Sequence, residues 1–196
     1  HYQAWKKMAD RMGIYFDETI NNRLRGVSRA ESLEIILEKY EGTPLTAEQK
    51  AELMEEKNNT YRELLKTMTS ADVTDQVRAT LKKLHEAGFK LAIGSSSKNA
   101  KFILEKVELL DAFDAISDGN NITHSKPDPE VFLLAAEKLH QKPSDCLVVE
   151  DAEAGVKAAL NGGFLVAGIG PAKDCPNVNY PLQSLSQLLA IKGWQT

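Results

Sequence analysis

The apolar run Cys146-Leu147-Val148-Val149 ends abruptly at two adjacent carboxylates, Glu150-Asp151, and the small-residue stretch Ala152-Glu153-Ala154-Gly155 follows. A short apolar run bounded by turn signals reads as a strand buried on both faces, as in a parallel sheet. Val156, Ala159 and Leu160 then share one helical face, so the order is strand, acid pair, helix. Acids at the end of such a strand lie in the crevice at the carboxyl edge of the sheet, where open α/β folds bind ligands. Two carboxylates without a basic neighbour suit a hard cation, and Mg²⁺ is the expected one. Asp151 would equally serve as a helix cap, and only the rest of the chain decides between the two.

A chain of 196 residues has room for one domain, or for one domain with a smaller insert. Its net charge of -4 favours neither nucleic acid nor an anionic membrane surface as a partner. No apolar run approaches the ~18 residues of a membrane span, and no signal peptide is expected at the start. Cys146 and Cys175 are too few for a disulfide framework and point to a reducing compartment. A cytoplasmic monomer acting on a small molecule is the expectation.

Periodicity divides the chain. Residues 1–72 read as helices and predict a small α-helical layer. Trp5, Met8, Ala9 and Met12 form one stripe that Gly13 ends. Ser28-Arg29-Ala30-Glu31 and Thr46-Ala47-Glu48-Gln49 have capping-box spacing, and the second leads into Leu53, Lys57, Tyr61, Leu64 and Leu65 on one face. Residues 73–196 alternate strands with helices, which predicts an α/β core with a Rossmann-like parallel sheet. The expected strands are 89–94, 113–116, 146–149 and 164–169, with helices starting near Asn99 and Asp128-Pro129 and a last helix over 185–191.

Three strand ends carry chemistry. Strand 89–94 runs into Ser95-Ser96-Ser97-Lys98-Asn99, where hydroxyls, backbone N–H groups and a helix start are offered together to a phosphate. Lys126 precedes a Pro-initiated helix and would neutralise phosphate oxygens. Serines also cap helices for structural reasons and a loop lysine is commonly solvated, so neither is decisive alone. A hydroxyl cluster, a lysine and an acid pair at successive strand ends describe a site for a phosphoryl group and its Mg²⁺. Histidines 85, 124 and 140 read as surface residues.

Ser95 after a strand, Lys126-Pro127, and Glu150-Asp151 with Gly155 resemble motifs two to four of the haloacid dehalogenase superfamily. The stretch Leu24-Arg25-Gly26-Val27-Ser28-Arg29, with Trp5, Lys57-Asn58 and residues 95–99, is similar to its hexose-phosphate mutase branch. That resemblance implies interconversion of β-glucose 1-phosphate and glucose 6-phosphate through a bisphosphate and an aspartyl-phosphate. It implies that Ser95 and Lys126 hold the transferring phosphoryl group, and that Glu150 and Asp151 hold Mg²⁺. Arg29, Ser97, Lys98 and Asn99 would grip the distal phosphate, and Trp5, Leu24, Gly26, Val27 and Ser28 would line the sugar. His1 and Lys57 would couple binding to closure of a helical cap.

The superfamily's first motif, a strand ending in Asp-x-Asp-Gly, does not occur in the chain, and it is expected upstream of His1 together with the first core strand. A sugar-phosphate phosphatase of the same fold is the alternative. If the motif is truly missing, a non-catalytic sugar-phosphate-binding module is the other.

Overall fold

The computed structural model describes residues 1–192. Its first part is helical: α1 (Tyr2–Arg11), α2 (Glu18–Arg23), α3 (Arg29–Leu37) and α4 (Ala47–Leu65). Both predicted capping boxes form, with Ser28 and Thr46 as the N-caps of α3 and α4. Each returns two orphan N–H groups of a first turn to hydrogen bonding. Trp5, Met8, Ile14, Phe16, Leu33 and Ile36 close a core of their own between these helices. In α4 the inward face is Leu53, Lys57, Tyr61 and Leu65, whereas Leu64 lies on the solvent side.

From Asp75 the chain alternates: α5 (Asp75–Glu86), β1 (Ala92–Gly94), α6 (Ala100–Lys106), β2 (Ala115–Ser117), α7 (Glu130–Lys138), β3 (Leu147–Glu150), α8 (Glu153–Asn161), β4 (Leu165–Ile169) and β5 (Tyr180–Leu182). All strand pairs are parallel, as an α/β sheet with helical crossovers requires. Val131, Phe132, Val148, Val156, Phe164 and Val166 pack the second core. None of the helices among the described residues is long and apolar enough to cross a membrane.

Several expectations are corrected. The strand expected over 89–94 narrows to Ala92–Gly94, because Leu91 already bonds outside a ladder, donating its N–H to the Asp114 carboxylate. The segment at 185–191 is a 3-10 turn over Leu185–Ala190, not an α-helix. Strand β5 was hidden by Pro181, which lacks an N–H and so is tolerated where pairing is one-sided, as here against β4. Among the described residues the parallel strands pair as β1-β2 and β3-β4-β5, in keeping with an α/β core that lacks the first core strand expected upstream of His1. Among the described residues β1 and β3 each pair on one side only. Between them runs an apolar cleft of about 930 Å³, walled by Ile93, Leu104, Leu147, Val149 and Phe164.

Candidate active site

The carboxyl ends of β1 and β3 point toward the helical layer, and a second cleft of about 1370 Å³ lies between. Every candidate catalytic, substrate-binding or metal-holding residue expected from the sequence lines it. The helical side contributes His1, Trp5, Leu24, Gly26, Val27, Ser28, Arg29 and Lys57, and the strand side contributes Ser95, Ser97, Lys98, Asn99, Lys126, Glu150 and Asp151. The three remaining histidines, 85, 124 and 140, are exposed, as expected.

At the strand ends the dominant contact is a buried ion pair between Lys126 Nζ and Glu150 Oε1. Lys126 also sits 4.6 Å from the centroid of the Phe132 ring, whose face favours a cation. Glu150 Oε2 accepts the backbone N–H groups of Asp151 and Ala152, each at 3.2 Å. A carboxylate this heavily engaged needs room, and Gly155 provides it: a Cβ there would lie 2.0 Å from the Glu150 carboxyl carbon. Asp151 is no helix cap, because Ala152 is the N-cap of α8 and no side chain caps it. Its exposed carboxylate faces the cleft, 3.6 Å from the Arg25 guanidinium. Among the described residues no cluster of three or more metal-ligating side chains forms. Mg²⁺ commonly takes one or two carboxylates and completes its shell with water and phosphate oxygens, and the Glu150-Asp151 pair fits that kind of site.

The serine loop is held by its own hydroxyls. Ser95 Oγ accepts the N–H of Ser97, and Ser97 Oγ accepts that of Asn99, both at 3.1 Å. Each hydroxyl keeps its hydrogen for a ligand. Gly119 lets the neighbouring strand-end loop pass close by, since a Cβ there would fall 2.4 Å from the Ser96 carbonyl oxygen.

A second polar cluster lies on the helical side. Asn58 Oδ1 accepts from Arg29 Nη2 at 2.8 Å and from Asn99 Nδ2 at 3.1 Å. Burial lowers the pKa of Arg29. Next to it Lys57 is almost fully buried, with Nζ 4.6 Å from the Trp5 ring centroid and 4.9 Å from that of Tyr61. It meets His1 Nδ1 at 2.8 Å, and the His1 ring stacks on Tyr61. Burial, and secondarily the Arg29 charge, lower the Lys57 pKa to about 7.

The two walls are tied together across the cleft. Ser96 Oγ donates to the Gly26 carbonyl at 3.0 Å, and Ser125 Oγ donates to Glu31 at 2.6 Å. Sequence reasoning named Arg25, Asn58 and Ser96 only as parts of motifs and Glu31 only in a capping box, and it passed over Ser125 altogether. Arg25, Asn58 and Ser96 adjoin residues it did select, but bonds between distant segments have no local signature.

Parallel strands with serine, lysine and paired acids gathered at one edge under a helical layer define an α/β fold with a polar cleft over the sheet edge. Residues 1–163 match the family model of haloacid dehalogenase-like hydrolases, and the chain belongs to that family. It is 38% identical to a β-phosphoglucomutase of Bacillus subtilis over 96% of this chain and 84% of that protein. It is 30% identical to a phosphorylated carbohydrates phosphatase of Thermotoga maritima over 84% of this chain and 74% of that protein. A crystal structure of β-phosphoglucomutase from Clostridium difficile superposes with a TM-score of 0.88 at 36% identity, covering 96% of this chain and 85% of that one.

Two outcomes follow from this geometry. Gly155→Ala should cost about 1–3 kcal/mol in urea unfolding, because Glu150 is fixed by Lys126 and cannot swing away; wild-type stability would show that the close approach is relieved at no cost. The second concerns Lys57, whose folded pKa of about 7 lies below the unfolded value of about 10.4. Between those values the unfolded chain binds the extra proton, so this group's contribution to stability rises with pH and its penalty is full below about pH 7. The stability gained between pH 7 and 9 should therefore shrink by about 2 kcal/mol in Lys57→Met. Parallel pH profiles for the two proteins would refute the shift.

Proposed function

We propose that this protein interconverts β-glucose 1-phosphate and glucose 6-phosphate through a sugar bisphosphate. The observation that supports this reading is that one cleft holds two separate clusters of hydrogen-bond donors and basic groups: Ser95 with Lys126 at the strand ends, and Arg29 with Asn99 around Asn58. A mutase needs both, because its bisphosphate must turn round and present either phosphate to the same reacting group. Similarity to the Bacillus and Clostridium proteins supports the same reading.

In this proposal Ser95 donates its hydroxyl hydrogen and Lys126 its ammonium charge to the transferring phosphoryl group. Glu150 and Asp151 hold Mg²⁺, which when bound offsets charge on the phosphoryl oxygens. Ser97, Lys98 and Asn99 join Arg29 on the distal phosphate, while Trp5, Leu24, Gly26, Val27 and Ser28 wall the sugar. Lys57, coupled to His1, gains its proton more readily once a phosphate dianion lies near, which links binding to closure. The helical residues 1–72 act as the cap and residues 73–196 as the core. The aspartate nucleophile is carried by an extended segment N-terminal to His1 that pairs with the free edges of β1 and β3. The apolar walls between those edges suit such a strand.

The test uses the full polypeptide. Arg29→Ala should lower conversion of β-glucose 1-phosphate about a hundredfold, roughly 3 kcal/mol of lost phosphate recognition, with a much smaller loss in phosphorylation by a small acyl phosphate. Equal losses in both assays, with phosphate released to water, would assign the cleft to a phosphatase instead. Asp151→Asn should weaken both Mg²⁺ affinity in calorimetry and turnover, because the removed charge belongs to the cation's ligand set. Retained turnover in the presence of a chelator would remove Mg²⁺ from the proposal.

A further inference from the structure

The Asn58 side chain bonds outside its own helix: its carbonyl oxygen is shared by Arg29, which opens α3, and Asn99, which precedes α6 on the opposite wall. One atom thus fixes the spacing between two phosphate donors that come from different parts of the fold. The chemistry of that acceptor matters. An amide oxygen has lone pairs for both donors but carries no charge, so it orients the Arg29 guanidinium without neutralising it. Among the described residues Arg29 makes no ion pair; the carboxylate that acts on it is Glu55, which lines the same cleft without bonding to it, and the only side-chain hydrogen bond of Arg29 is the one from Nη2 to Asn58. Arg29 is therefore half-buried, aligned by one nitrogen, and left with charge and donors facing the cleft.

We infer that Asn58 is a positioning residue whose neutral carbonyl oxygen sets Arg29 and Asn99 at the separation a sugar's distal phosphate requires. This rests on the reading of the cleft as a two-phosphate site. A carboxylate at position 58 would hold the same two donors more strongly and with the same shape, but it would pair with Arg29 as a charge-assisted fork and compete with phosphate. Structural support and phosphate recognition therefore rank the substitutions at this position in opposite orders.

The experiment compares Asn58→Asp, Asn58→Ala and Arg29→Ala in the full polypeptide, by the KM for β-glucose 1-phosphate, the Kd for glucose 6-phosphate and the thermal midpoint. Asn58→Ala is expected to raise KM and Kd about tenfold, and Asn58→Asp about a hundredfold, although Asn58→Asp should melt at or above the temperature of Asn58→Ala. If Asn58→Asp binds within about threefold of wild type, or if affinity simply follows melting temperature, Asn58 is only a structural hydrogen-bond acceptor and the inference is wrong. Arg29→Ala tests the underlying reading independently. If it leaves KM and Kd unchanged, or if the wild-type protein neither binds nor converts the sugar phosphates, the two-phosphate reading fails and the inference falls with it.

Discussion

The buried ion pair between Lys126 and Glu150 is the contact on which the strand-side half of the cleft depends. Two charges removed from water are costly unless each is well satisfied. Here Glu150 also accepts two backbone N–H groups, and Lys126 lies over the Phe132 ring. The pair joins the loop before α7 to the end of β3, and α8 must begin with residues small enough to let it form. Gly155 meets that demand, while Ala152 and Ala154 let the Gly26 turn of the helical layer settle close above. A single electrostatic constraint thus reaches from the sheet edge to the opposite wall.

The helical wall follows a different rule. Arg29 and Lys57 are neighbouring basic groups, Arg29 with the Glu55 carboxylate as its nearest compensating charge, and burial lowers the pKa of both, that of Lys57 to about 7. Folding alone gains nothing from that arrangement, because burying unpaired charge is unfavourable. The proposed binding of a sugar phosphate would gain from it directly, since a dianion between the walls would supply the missing charge where solvent screening is weak. The bonds from Ser96 to Gly26, from Ser125 to Glu31 and from Asn99 to Asn58 are modest individually. Together they join the two walls of the cleft.

Much of this was legible in the chain. The capping boxes at Ser28 and Thr46, the stripe ending at Gly13, and the acid pair after Val149 depend on neighbours a few residues away, and periodicity and turn chemistry report such neighbours. The errors share one cause. The length of β1 and the concealed strand at Tyr180–Leu182 depend on which strand lies alongside, and pairing between distant segments has no local signature.

The sequence by itself determined the class of fold and the strand-end members of the cleft, because strand-end residues in a parallel α/β chain converge on one edge whatever the details of packing. Tertiary structure alone decided what those residues do to each other. It turned Glu150 toward Lys126, denied Asp151 a capping role, buried Lys57 among Trp5 and Tyr61, and set Asn58 between Arg29 and Asn99. Charge, burial and hydrogen bonding at these positions arise from contacts between segments far apart in the chain, and those contacts exist only once the helical layer closes over the sheet edge.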